Sequence, residues 1–195
     1  MRHHLICAIG LAGGLIAGTA LPTIAADAKG DFAVRGAGRL SCAELTDALA
    51  KKDATRLTIF GAWLEGYITA NSQLLPNTFD ATPWQTTELL LALSGQSCAN
   101  RGPETQIMDV VGRLIAEMQP IRLAERSGLL RMSHGDAVQV HYRAVIERAR
   151  DRLKALGYEF TSDEMTGKKA LDELTANLKR YQTENKLQPS GRLDQ

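Results

Sequence analysis

Aromatic side chains are scarce in this sequence, 5% of 195 residues, so no part of it can be built around a large aromatic core. An excess of one charge is missing too. Lys and Arg number 23 against 22 Asp and Glu, and loss of Arg2 with a leader would leave 22 against 22. A nucleic-acid surface needs a sustained basic excess, and this balance argues against one. There is no Gly-x-Ser-x-Gly elbow, no phosphate-cradling glycine loop, and no cysteine partnered by histidine, so the chain is not expected to be an enzyme or to hold a cofactor. Beyond His3 and His4, the histidines are His134 and His141, spaced seven apart with no third ligand in view, which fits a solvent-facing or capping role better than a metal site. After the N-terminus, no stretch approaches the roughly 20 apolar residues a bilayer span requires.

What is present begins with export. Met1-Arg2-His3-His4 is a short basic start, followed by an apolar run from Leu5 to Leu21 and small residues at Ala25, Ala26 and Ala28. That is the order of a secretory leader, expected to end near Ala26 or Ala28 (residues 1–26) and to place the protein in the periplasm. A membrane anchor is the alternative, but Gly10, Gly13, Gly14, Gly18 and Thr19 interrupt the run and no flanking charge stops transfer. Cys7 leaves with the leader. Cys42 and Cys98 remain, and an even pair in an exported protein reads as one disulfide, with two buried free thiols as the alternative.

Residues 27–40 are rich in Gly and Ala and read as a flexible lead-in. Ser41-Cys42-Ala43-Glu44 carries a capping box that starts a short helix. Leu57, Phe60, Leu64, Tyr67 and Ile68 then mark a second helix, in which Gly61 and Gly66 suggest close approach by a neighbour. Thr82-Pro83 predicts the start of a third, with Trp84, Leu91 and Cys98 recurring on its buried seam. Ile107, Val110, Val111, Leu114 and Met118 make the inward stripe of a fourth, stopped by Pro120. After a linker over 121–135, Asp136 followed by Gln139 predicts a long helix to Leu156 with a left-handed cap at Gly157. Leu171, Leu174, Leu178 and Tyr181 predict a last one.

Two resemblances follow from these residues. The cysteine-opened helix, Trp63-Leu64-Glu65-Gly66-Tyr67, and Cys98-Ala99-Asn100 with Pro103 resemble the small disulfide-linked helical proteins of the bacterial periplasm that include the HdeA-type acid-stress chaperones. Leu153-Lys154-Ala155-Leu156-Gly157-Tyr158 and the run from Tyr181 to Asp194 are similar to the peptidoglycan-binding-like domain family, although Lys186 stands where that family has Gly. Together they imply an all-α protein: a disulfide-closed four-helix bundle (41–120) followed by a helical peptidoglycan-binding-like unit (136–195). The second resemblance implies a non-catalytic protein with peptidoglycan as partner, using a groove with Tyr158, Gln182 and Arg192 at its rim. An acid-stress chaperone, or a subunit of an envelope complex with a protein partner, is the alternative.

Overall fold

The computed structural model describes residues 26–193 apart from 28, 135–136, 163–164 and 166. The expected leader, save Ala26, lies outside the described residues, as do Gly135, Asp136 and Asp194. The described residues up to Ala33 belong to one unit, in which the Asp27 carboxylate accepts from the amides of Lys29 (2.8 Å) and Asp31 (2.9 Å). Residues 34–195 form the other.

Four helices share the first core of that second unit. Helix α1 (Cys42–Ala50) starts on the expected capping box: Ser41 Oγ accepts from the Glu44 amide (3.4 Å) while the Glu44 carboxylate accepts from the Ser41 amide (2.8 Å). Asp53 caps α2 (Ala54–Leu74), accepting from the Arg56 amide at 3.1 Å. Thr86 caps α3 (Thr87–Ala99), accepting from Leu89 at 3.2 Å. Helix α4 (Ile107–Met118) lays Ile107, Val110, Val111, Ile115 and Met118 inward. A disulfide joins Cys42 on the first turn of α1 to Cys98 near the end of α3, with Cα atoms 5.3 Å apart and both residues buried beside Leu45, Phe60, Leu64 and Leu91.

Three expectations for this half need correction. The third helix begins at Thr87 rather than at Thr82-Pro83, because Thr86 supplies the cap; Trp84 therefore lies ahead of the helix, half-exposed. The lead-in is not loose throughout. Residues 36–39 form a 3-10 turn with Ala37 and Gly38 buried, and Leu40 accepts the Ile107 amide at 2.9 Å. A Cβ on Gly38 would come within 2.2 Å of the Trp63 indole, so the missing side chain is what lets this backbone lie on the ring. Close approach at Gly61 is real, with Thr87 Cγ2 2.9 Å from a Cβ placed there, whereas nothing approaches Gly66.

The second half departs from an all-helical reading: the fold is mostly helical with a small two-stranded antiparallel sheet. Strand β1 (Leu129–His134) pairs with β2 (Ala137–Tyr142), Leu130 opposite His141 and Met132 opposite Gln139. Residues 137–142 were expected to open a helix, but Val138, Val140 and Tyr142 recur every second residue, and that period and β-branching win. His141 is consequently buried rather than solvent-facing. Helix α5 (Arg143–Ala155) starts only where the chain leaves the ladder, with its Arg143 amide donating to Gly128 O (2.7 Å) and its Ala144 amide to Ser127 Oγ (3.0 Å). It ends as expected: Gly157 has φ +89°, and the amides of Tyr158 and Gly157 donate to Leu153 O and Lys154 O, both at 3.0 Å. Helix α6 (Lys168–Glu184) packs Leu174 and Leu178 against Met132, Ile146 and Leu153 in a second core.

The stretch expected as a linker is part of the fold. Leu123 is buried, its amide donates to Asp80 O (2.9 Å) and its carbonyl accepts the Phe79 amide (2.7 Å). Phe79 meets Tyr142 edge-on at 5.8 Å, and Arg126 lies over the Phe79 ring at 5.7 Å. The extended connection between α2 and α3 is thus the seat on which the second half rests.

Candidate functional site

A cleft of about 690 Å³ opens beside that seat. One wall is a single stripe of α5, Val145, Arg148, Ala149 and Arg152, residues spaced three and four apart and therefore on one helical face. The other side is made by Trp84, Pro120 and Ile121, with Leu193 from the C-terminal segment completing the lining. Each element arrives for a local reason. Trp84 is presented because α3 is capped two residues after it, and Pro120 and Ile121 lie in the 3-10 turn (Gln119–Ile121) that ends α4.

The electrostatics are lopsided. Arg148 donates from Nη1 to Ile121 O (2.6 Å) and from Nη2 to Arg122 O (3.1 Å), so its guanidinium is fixed by neutral carbonyls, and it makes no ion pair among the described residues. Arg122 in turn donates to Asn77 O (3.1 Å) and Gln119 O (2.7 Å), which ties the turn back to the seat. Asp151 pairs with Arg150 at 2.9 Å. Arg152 is exposed, and its side chain makes no ion pair or hydrogen bond among the described residues. At the edge of the seat, burial first and then the neighbouring Asp80 carboxylate push the Tyr142 hydroxyl above its ordinary range, so it stays a neutral donor.

The three residues expected at a groove rim are placed differently. Tyr158 is buried, its hydroxyl donating to the Glu184 carboxylate and its ring covered by Arg180 at 4.2 Å. That hydrogen bond, before burial, raises its pKa. Gln182 is only 3% exposed, with Oε1 accepting from the Gly191 amide (2.7 Å) and Nε2 donating to Arg192 O (3.0 Å). Arg192 alone is exposed. Tyr158 and Gln182 therefore have internal partners. Gln182 bears on the cleft indirectly, since it pins the 190–192 turn that delivers Leu193. Leu187, in the run that resembles the peptidoglycan-binding-like family, is 42% exposed.

The cleft residues Trp84, Arg148 and Arg152 escaped the sequence reading, and each had a misleading signal. Trp84 fits a seven-residue seam with Leu91 and Cys98, and the two arginines look like the solvated side of an amphipathic helix. No group of His, Cys, Asp and Glu among the described residues could hold a metal ion, and no helix among them is long and apolar enough to cross a membrane. A comparison with family models, with curated proteins and with solved structures finds no match to this chain.

Proposed function

We propose that this is an exported, non-catalytic protein of the bacterial envelope that binds cell-wall peptidoglycan, and that it does so in the cleft between its two cores. The observation that carries this reading is the composition of the cleft: an indole and two arginines that make no ion pair among the described residues, around a space of about 690 Å³. Indole faces stack on sugar rings, and guanidinium forks match carboxylates in two-point geometry. Peptidoglycan offers both groups side by side. The Cys42–Cys98 bond supports the oxidising compartment that the leader pattern requires. A four-helix bundle closed by that bond would serve as the rigid platform, and the hairpin, α5 and α6 as the unit that completes the cleft.

Co-sedimentation with purified sacculi tests this: the protein is expected in the pellet, with Trp84→Ala moving most of it to the supernatant, and wild-type protein left wholly in the supernatant would refute the reading. A second reading, a subunit of an envelope complex, draws on the outward face of the hairpin, where Leu129, Val138 and Val140 stand 49 to 63% exposed. Loss of a co-purifying protein on Val138→Lys plus Val140→Lys, with sacculus binding kept, would favour it.

A further inference from the structure

The two arginines do different work, and the difference points to the part of the wall that is recognised. Arg148 and Arg152 lie four residues apart on α5, which puts their Cβ atoms about 6 Å from each other. Arg148 spends its donors on the carbonyls of Ile121 and Arg122, at 2.6 to 3.2 Å, so it holds the opposite wall in place and lends the cleft its charge without offering a free fork. Arg152 keeps its fork free among the described residues, on the same stripe. The nearest acid lining the cleft, Asp151, is answered by Arg150. Two positive charges that make no ion pair among the described residues, beside the apolar surface of Val145, Ala149 and Ile121, favour an occupant that carries an anion next to an uncharged body.

We propose that the cleft selects a carboxylate of its ligand, received by the free guanidinium of Arg152, with Arg148 as the positioning residue that keeps the cleft open and adds to its positive potential. This rests on the wall-binding reading and narrows it: the recognised element is an acid group and not the glycan chain as such. In peptidoglycan that acid has two sources, the stem peptide and, where no stem peptide is attached, the lactyl group of the muramic sugar. A neutral stretch of glycan would fill the space but leave the cationic wall unanswered.

The test is a titration of the full-length mature chain with three soluble probes: a disaccharide-peptide with free carboxylates, the same molecule with its peptide carboxylates amidated, and the peptide-free disaccharide. Selection of a stem-peptide carboxylate predicts that amidation weakens binding about tenfold or more, as loss of a charge-assisted pair does. Selection of the lactyl group, whose acid is free only where no stem peptide is joined to it, predicts that the peptide-free disaccharide binds best and that reducing its lactyl acid to an alcohol weakens it about tenfold or more. Arg152→Gln should reproduce the loss for whichever probe binds, with an unchanged thermal melt, because the residue has no partner among the described residues to lose. Equal binding of all the probes, the reduced disaccharide included, or wild-type affinity in Arg152→Gln, overturns the proposal. If sacculi still pellet the protein in that case, carboxylate selection fails and wall binding stands. Failure of every probe and of sacculi removes both.

Discussion

Between residues 37 and 118, three of four helices start on a side-chain cap and a disulfide ties the first to the third. Between 129 and 193 there is no cysteine, and neither helix is capped by its own N-cap residue; α5 borrows Ser127 and Gly128 from the segment just ahead of β1, while α6 starts on Gly167. The first half closes on itself. The second is held partly by what it leans on: the Asp80–Leu123 bridge, the Phe79–Tyr142 contact and the Arg148 clamp. Because the cleft lies between the two, its shape depends on a rigid partner and on one that must stay seated.

The largest way to break this contrast is to remove its covalent term. Opening the Cys42–Cys98 loop, which spans 56 residues, should cost about 4 kcal/mol by the chain-entropy account. Cys42→Ser plus Cys98→Ser should lower the urea midpoint sharply and bring the first half down to the stability of the second or below. Gly38→Ala comes next. Its new methyl must displace the Trp63 ring, an overpacking cost of about 2 kcal/mol, read as a lower melting temperature. Gln182→Ala should cost the second half a similar amount, by leaving the buried Gly191 amide without its acceptor, and should weaken ligand binding through Leu193.

Acid should act on both halves. Lys51 and then Arg56 hold the Asp47 carboxyl below its ordinary value, Arg56 does so for Asp53, and the Thr161 hydroxyl does so for Glu173. A depressed folded-state pKa gives stability that is present above the unfolded value, near 4 for Asp and Glu, and lost as pH falls through the folded one. The urea midpoint should therefore be flat from neutrality to about pH 5 and fall below pH 4. These groups are only half-buried, so the fall should be gradual and should shrink in high salt. The smallest effect sharpens the contrast by stabilising. Lys186 ends α6 with φ +59°, the position where the peptidoglycan-binding-like pattern has Gly, and Lys186→Gly should add about 1 kcal/mol, seen as a small rise in melting temperature.

The first half was legible because its signals are local. Ser41 and Glu44 are three residues apart, the α4 stripe repeats at helical spacing, and two cysteines leave one pairing. Residues 137–142 were misread because Asp136 and Gln139 mimic a helix start, while what begins α5 is a serine 17 residues from the amide it caps. Trp84 was misplaced because two threonine caps, Thr82 and Thr86, compete four residues apart, and only packing decides between them. Gln182 was singled out by resemblance, and its role came from a turn ten residues downstream. The cleft is formed by segments that meet only after folding, so no spacing in the chain announces it.

The most direct test of where the ligand sits is a nitrogen-detected NMR map of the full-length protein titrated with a disaccharide-peptide that carries free carboxylates. The account predicts that the Trp84 indole NH and the Arg152 Nε shift most, with backbone changes along 145–152 and at Ile121. Shifts gathered instead on Tyr158, Gln182 and Arg192, or none at saturating ligand, would contradict it.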